Sequence, residues 1–407
     1  MTVKKIFVFF MLCLTILMPV LSLASCGEGE KIVLNVYNWG EYISDGSEDS
    51  LDVNAAFEEY CASLGLNVEV NYSTYASNED MFNKLDSGAT SYDIVIPSEY
   101  MIERMIERDM LEPLNFANIP NFKYINSDFL SPFYDPDNTY SVPYTYGVVG
   151  IIYNSAYVDE EDIGSWDLLW NEKYSGKILQ YNNSRDAFGT AMYKLGIDVN
   201  TDSAELWEQA LAELREQKPL IQSYVMDEIY NKMKGESAYI SSYYAGDYLT
   251  MYADNENLSF YYPEEGTNIF VDAMCIPKGA KNKEIAEMYI NFMLSKEAAI
   301  ANAEYIGYAS PNSLVYEDEE YIAYMQDWHP DAMEILYPES VGVSVKTSYY
   351  KNLPESSLER LNSLWETLKI DTGTETWVYV TSLVIVITLA SFLIYRAIVK
   401  KIRSRMY

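Results

Sequence analysis

Aromatic rings and carboxylates recur where apolar runs of this chain give way to polar ones. Trp39 and Tyr42 follow Ile32–Val36, Tyr100 follows Asp93–Ile96, and Tyr146 lies inside a long apolar stretch. Asp186 follows Ile178–Tyr181, Tyr243 follows Ala238–Ser242, and Phe270 and Asp272 sit within Ile269–Ile276. Ring faces attract cations through their quadrupole, and carboxylates take ammonium groups in charge-assisted hydrogen bonds. Together these residue types suit a small, elongated, positively charged molecule whose methylene chain lies against the same rings. In a chain with 38 tyrosines any single ring is more simply packing, so the joint placement at strand exits carries the reading.

Other chemistries find no matching residues. The sequence has no GxSxG elbow, no glycine-rich phosphate loop and no CxxC, and its single histidine, His329, supplies no metal cluster. The chain is therefore read as a binding protein and not an enzyme, without cofactor or metal. His329, in DWHPD, reads as a surface residue before a proline. Formal charge is -33, from 28 Lys plus Arg against 61 Asp plus Glu, which opposes binding of nucleic acid or an anionic membrane by the body of the protein. Cys61 lies in a helical pattern and Cys275 in an apolar strand, so both are expected as buried thiols.

The elements that must position these groups alternate between strand and helix. Ile32–Val36 reads as a first strand, and Val53, Phe57, Tyr60 and Leu64 repeat at helical spacing. Val68–Asn71 and Asp93–Ile96 read as further strands, with Ser77 capping the helix between them. This order is that of an α/β layer with a mainly parallel sheet. Tyr140–Asn154 is long, apolar and punctuated by glycine, as a segment crossing between two lobes would be, with a boundary near Gly147. A second unit follows, and the strand at Ile269–Ile276 with its helix resumes the first. The expected organisation is a first lobe from 32–146 and 269–325, and a second from 147–268 and 326–370. A cleft between such lobes can close on a ligand.

Both ends of the chain carry membrane signals. Lys4 and Lys5 precede an apolar run from Ile6 to Leu21, and Leu23-Ala24-Ser25-Cys26 resembles the lipobox of exported lipoproteins. Residues 1–25 thus read as a lipoprotein signal, Cys26 as the lipidation site and 26–31 as a tether. At the other end 371–376 is a linker, and Trp377–Tyr395 runs without a charge for about 28 Å as a helix, close to a bilayer core. The five bases in 396–407 place that tail on the cytoplasmic side and the acidic body outside the cell membrane.

The stretches YNWGEY, YSTYASNEDMFNKL, YDIVIPSEY, YSVPYTYG, FVDAMCIPKGAKNKE and AEYIGYASPN resemble the spermidine/putrescine-binding proteins of ABC importers. The resemblance covers about Ile32 to Leu368 and implies a two-lobed fold of the type II periplasmic-binding class. It implies a ligand slot lined by Trp39, Tyr42, Ser98, Tyr100, Asp186, Tyr243, Phe270, Asp272 and Tyr308, with Tyr243 and Phe270 where the family commonly has tryptophan. Asn183 occupies the place of a second acid, three positions before Asp186, and the family's glutamine has no clear partner near Pro338–Gly342. Losing that acid tilts the expectation from spermidine towards putrescine. The implied partners are permease subunits with a cytoplasmic ATPase, and the protein is expected to be monomeric.

Three structural or functional alternatives stay open at this level. Asp186 also suits the first turn of a helix, where a carboxylate complements the dipole. The adjacent Tyr243 and Tyr244 are the kind of pair that ligates ferric iron in related folds. A membrane-tethered sensor or adhesion module on the same fold is the third.

Overall fold

The computed structural model describes residues 30–370 except 89, together with 381, 383–392 and 396. The expected signal and Cys26 lie outside the described residues, as do 371–380, 382 and 393–395 of the expected linker and span. Among the described residues no helix is long and apolar enough to cross a membrane.

Ten strands are described: β1 (Ile32–Trp39), β2 (Val68–Tyr75), β3 (Ile94–Val95), β4 (Ser141–Asn154), β5 (Ile178–Tyr181), β6 (Ile221–Val225), β7 (Ile240–Tyr244), β8 (Leu258–Tyr261), β9 (Thr267–Cys275) and β10 (Thr347–Ser348). Their order is β2-β1-β3-β9-β4-β7-β5-β6, with β8 added on β4 and β10 on β9. β1, β2 and β3 are parallel to one another, as are β5, β6 and β7. Such parallel strands need helical crossovers, which cover both faces and bury the strands between them.

β4 ties the two halves together. From Ser141 to Val148 it pairs antiparallel with β9, and from Val149 to Tyr153 with β7. β9 itself pairs antiparallel with β3 through Val95 and Cys275, so both β4 and β9 run between the two parallel groups. The result is the mixed α/β, two-lobed architecture with more than one crossing. On the first lobe Leu34, Val36, Ile94, Phe57 and Tyr289 fill one face of the sheet, and Met81, Val95, Met101 and Ile102 the other. On the second, Ile151, Leu179, Ile240 and Leu249 fill one face, and Phe188, Trp207, Leu211 and Leu361 pack among the helices of the other.

Several local expectations shift. β1 runs three residues beyond Val36, because parallel pairing with β2 continues to Trp39 opposite Tyr75. β7 starts at Ile240 and takes in both Tyr243 and Tyr244. The helix Val53–Ser63 buries Val53, Phe57 and Cys61, at a spacing of four, and leaves Tyr60 and Leu64 exposed. His329 is half-buried and not simply a surface residue: its Nδ1 accepts the Asp331 N–H at 3.0 Å, and its Nε2 lies 3.1 Å from the Tyr248 hydroxyl. Cys61 and Cys275 are free and buried. The Ser77 hydroxyl does cap its helix, accepting the Asp80 N–H at 3.1 Å.

Candidate ligand-binding site

The two lobes enclose one cavity, and all ten residues proposed from the sequence line it: Trp39, Tyr42, Ser98, Tyr100, Asn183, Asp186, Tyr243, Phe270, Asp272 and Tyr308. Strands bring them there because open parallel sheets place their carboxyl ends at one edge.

The first-lobe wall begins at the end of β1. The buried Asn38 holds the exit in shape: its Oδ1 accepts the Trp39 N–H at 2.9 Å and its Nδ2 donates to the Tyr42 carbonyl at 3.3 Å. Glu41 takes a left-handed backbone, φ 50, to turn the chain between them. Trp39 is fixed by its indole N–H, which donates to the Ile96 carbonyl at 3.0 Å, and by the ring of Tyr75 at 4.7 Å.

Asp272, on β9, is held through both of its carboxylate oxygens. Tyr42 donates to its Oδ2 at 2.7 Å and Ser98 to its Oδ1 at 2.6 Å. The Tyr42 hydroxyl also lies 2.5 Å from Thr145 Oγ1 on β4. Burial pushes the Asp272 carboxyl up to about 6, with Asp186 adding to the rise, against the opposing hydrogen bonds of Ser98 and Tyr42. Asn78 supports this wall, its amide donating to Ser98 Oγ at 3.0 Å and to the Tyr100 hydroxyl at 3.1 Å.

The second-lobe acid is Asp186, in the first turn of the helix Ser184–Leu195. Asn183 caps that helix, its Oδ1 accepting the Asp186 N–H at 2.8 Å, while its Nδ2 donates to Asp186 Oδ2 at 2.8 Å. Both ends of the Asn183 amide are thus spent on Asp186, which orients the carboxylate. Tyr244 donates to the same Oδ2 at 2.9 Å. Burial raises the Asp186 carboxyl above its usual range.

Some cavity residues had no place among the ten expected ligand contacts. The aromatic hydroxyl on Asp186 is that of Tyr244, one residue past Tyr243; alternation along a strand decides which neighbour reaches a given group. Asp247 receives hydrogen bonds from Tyr230 and Tyr308, and burial lifts it to about 7. Glu79 accepts from the Tyr100 hydroxyl at 3.1 Å. Glu99 lies between Ser98 and Tyr100 in a stretch already singled out, and Tyr350 comes from the segment after β10, beyond Pro338–Gly342. Asp247, Glu79 and Glu99 belong to helices whose polar residues look solvated in one dimension.

No lysine or arginine is among the described residues that line the cavity, whereas Glu41, Glu79, Glu99, Asp186, Asp227, Asp247 and Asp272 all do. Glu99, Asp247 and Asp272 are buried, and burying acids without a protein cation costs free energy that a cationic ligand would recover. An iron site is disfavoured by the same geometry. The Tyr244 hydroxyl is engaged elsewhere, donating to Asp186 Oδ2 at 2.9 Å.

Residues 55–328 match the family described as bacterial extracellular solute-binding protein. This chain is a member of that family. The solute-binding chain is 31% identical over 293 residues to the spermidine/putrescine-binding periplasmic protein of Escherichia coli (strain K12), covering 72% of this chain and 81% of the relative. Among solved structures, a spermidine/putrescine ABC transporter protein from Listeria monocytogenes superposes with a TM-score of 0.74 at 32% identity, over 83% of this chain and 99% of the other. The Tp0655 (TpPotD) lipoprotein of Treponema pallidum superposes with a TM-score of 0.68 at 26% identity, over 83% and 99% of the two chains.

Proposed function

We propose that this solute-binding protein captures a linear polyamine, putrescine or spermidine, outside the cytoplasm and delivers it to an ABC importer. The observation that carries the reading is a cavity lined by rings and carboxylates with no protein cation among its described lining residues. Asp272 takes one ammonium group and Asp186 another, each carboxylate oriented by its own hydroxyl or amide donors. The methylene chain runs between them against Trp39, Tyr244 and Phe270, the last two packed edge to face with centroids 5.1 Å apart.

Capture couples to lobe motion about β4 and β9, with 32–146 and 269–325 moving against 147–268 and 326–370. The closed form then docks on the permease, whose ATPase drives release. Lipidation at Cys26 and a span at 377–395 keep the binding body at the outer face of the membrane; the likeness to a lipoprotein of Treponema pallidum supports the first of these. Titration calorimetry of the purified protein with putrescine and spermidine tests the reading. Saturable heat with either amine is expected, and no heat and no thermal shift with both would overturn it.

A further inference from the structure

The cavity holds more carboxyl groups than the two ends of a diamine need, and one of them has an oxygen with nothing to bond. Glu99 opens the helix Glu99–Glu107, is fully buried and lines the cavity. Its Oε2 accepts the Val271 N–H at 3.0 Å, which fixes the side chain on the β9 backbone. Its Oε1 has no hydrogen-bond partner among the described residues. Buried polar atoms are almost always paired, so an orphan oxygen on a residue of the cavity lining is a candidate position for a missing group.

We propose that Glu99 is a ligand residue, taking the ammonium group of a polyamine with at least three amines that Asp186 and Asp272 leave over. The inference rests on the polyamine reading above and selects, within it, a triamine over a diamine. It runs against the loss of an acid at Asn183, because the cavity recovers that charge from a different element.

The groups facing Glu99 come from several elements: Asp272 on β9, Arg185 and Tyr193 on the helix Ser184–Leu195, and Tyr134, Tyr349 and Tyr350 from loops. Burial, and then Asp272, hold the Glu99 proton well above the usual carboxyl range, against the Val271 N–H and Arg185. Arg185 does not line the cavity, and its guanidinium is held within its own lobe by the Val199 carbonyl at 3.0 Å and Asn200 Oδ1 at 2.9 Å. With the cavity empty these surroundings favour the protonated form of Glu99. When an ammonium group arrives it keeps its own proton, the Glu99 O–H bond breaks, and that proton leaves to solvent, giving a carboxylate–ammonium pair.

The test is titration calorimetry on the full chain with putrescine and spermidine, each in two buffers of different ionisation enthalpy, for wild type and Glu99→Gln. Wild type should release about one more proton with the triamine than with the diamine. Glu99→Gln should lose that excess, and its triamine-to-diamine affinity ratio should fall about tenfold, as removal of one charge-assisted pair predicts. An unchanged ratio overturns the inference. So does an equal loss for both amines, which would assign Glu99 to a lobe-to-lobe contact with the unpartnered Nε of Arg185. If the variant does not fold, the wild-type count decides alone, and no excess proton with the triamine overturns it. Absence of binding by either amine to wild type would instead remove the polyamine reading itself.

Discussion

Ser98 donates its hydroxyl proton to Asp272 Oδ1 at 2.6 Å, joining the exit of β3 to the middle of β9 across 174 positions of sequence. With Tyr42 on the other oxygen, the carboxylate is oriented before any ligand enters. Orientation in advance lowers the entropy lost on binding.

Asp272→Asn should weaken polyamine binding about 10- to 100-fold, the effect of removing one charge-assisted interaction of about 1.5–3 kcal/mol. The amide keeps the volume of the acid, and the Ser98 and Tyr42 hydroxyls can rotate to meet it. Calorimetry should show the loss while the melting temperature of the empty protein stays within a few degrees.

Affinity should rise with pH. Burial raises Asp272 to about 6 and Asp247 to about 7 from 3.8, so the empty native state binds more protons than the unfolded chain between those limits. Stability of the empty protein therefore falls as pH rises from about 4 to 7, by up to about 1.4 kcal/mol per unit per group. Binding has the opposite sign, because alkylammonium groups keep their charge to about pH 10 and favour the ionised acids. Titrations from pH 5 to pH 8 should show tightening of up to about tenfold per unit for each acid that must ionise, and Asp247→Asn should flatten the upper part. A flat profile would contradict the ionisation of these cavity acids on binding.

Tyr244→Phe removes the hydroxyl that donates to Asp186 at 2.9 Å and keeps the ring against Phe270. Affinity should fall about three- to tenfold, in line with one hydrogen bond of about 1 kcal/mol, more than for Tyr243→Phe. Equal effects of the two variants would assign the contact to neither tyrosine in particular.

Gly246→Ala should damage both stability and binding. A methyl at that position would meet the Tyr308 ring at 2.5 Å, and Tyr308 donates to Asp247 from the same place. Overpacking of this kind costs about 1–3 kcal/mol. Thermal denaturation should show the loss, and Tyr308→Leu, with a smaller side chain, should recover part of the stability but not the affinity.

Much of the architecture was legible because strands and helices leave a local pattern. The Ser77 cap and the helix carrying Val53 and Phe57 depend on neighbours within a few residues, and each stands where the pattern puts it. The misplaced details depend on pairing. β1 runs on to Trp39 because β2 lies beside it, and Cys61 replaces Tyr60 in the core because the sheet sets the helix's rotation.

By itself the sequence determined the alternation of strand and helix, the acidic body, and the aromatic and acidic residues at strand exits, since these follow from residue type and period. Only the tertiary structure decided which acids share a cavity and what each is bonded to. Asp272 meets Ser98 and Tyr42 through strands distant in the chain, and Asn183 turns out to spend its amide on Asp186. Glu99 reads as an ordinary acid in the first turn of a helix until the fold buries it and leaves one oxygen without a partner. Burial and hydrogen-bond partners are properties of three-dimensional neighbours, so no local pattern encodes them.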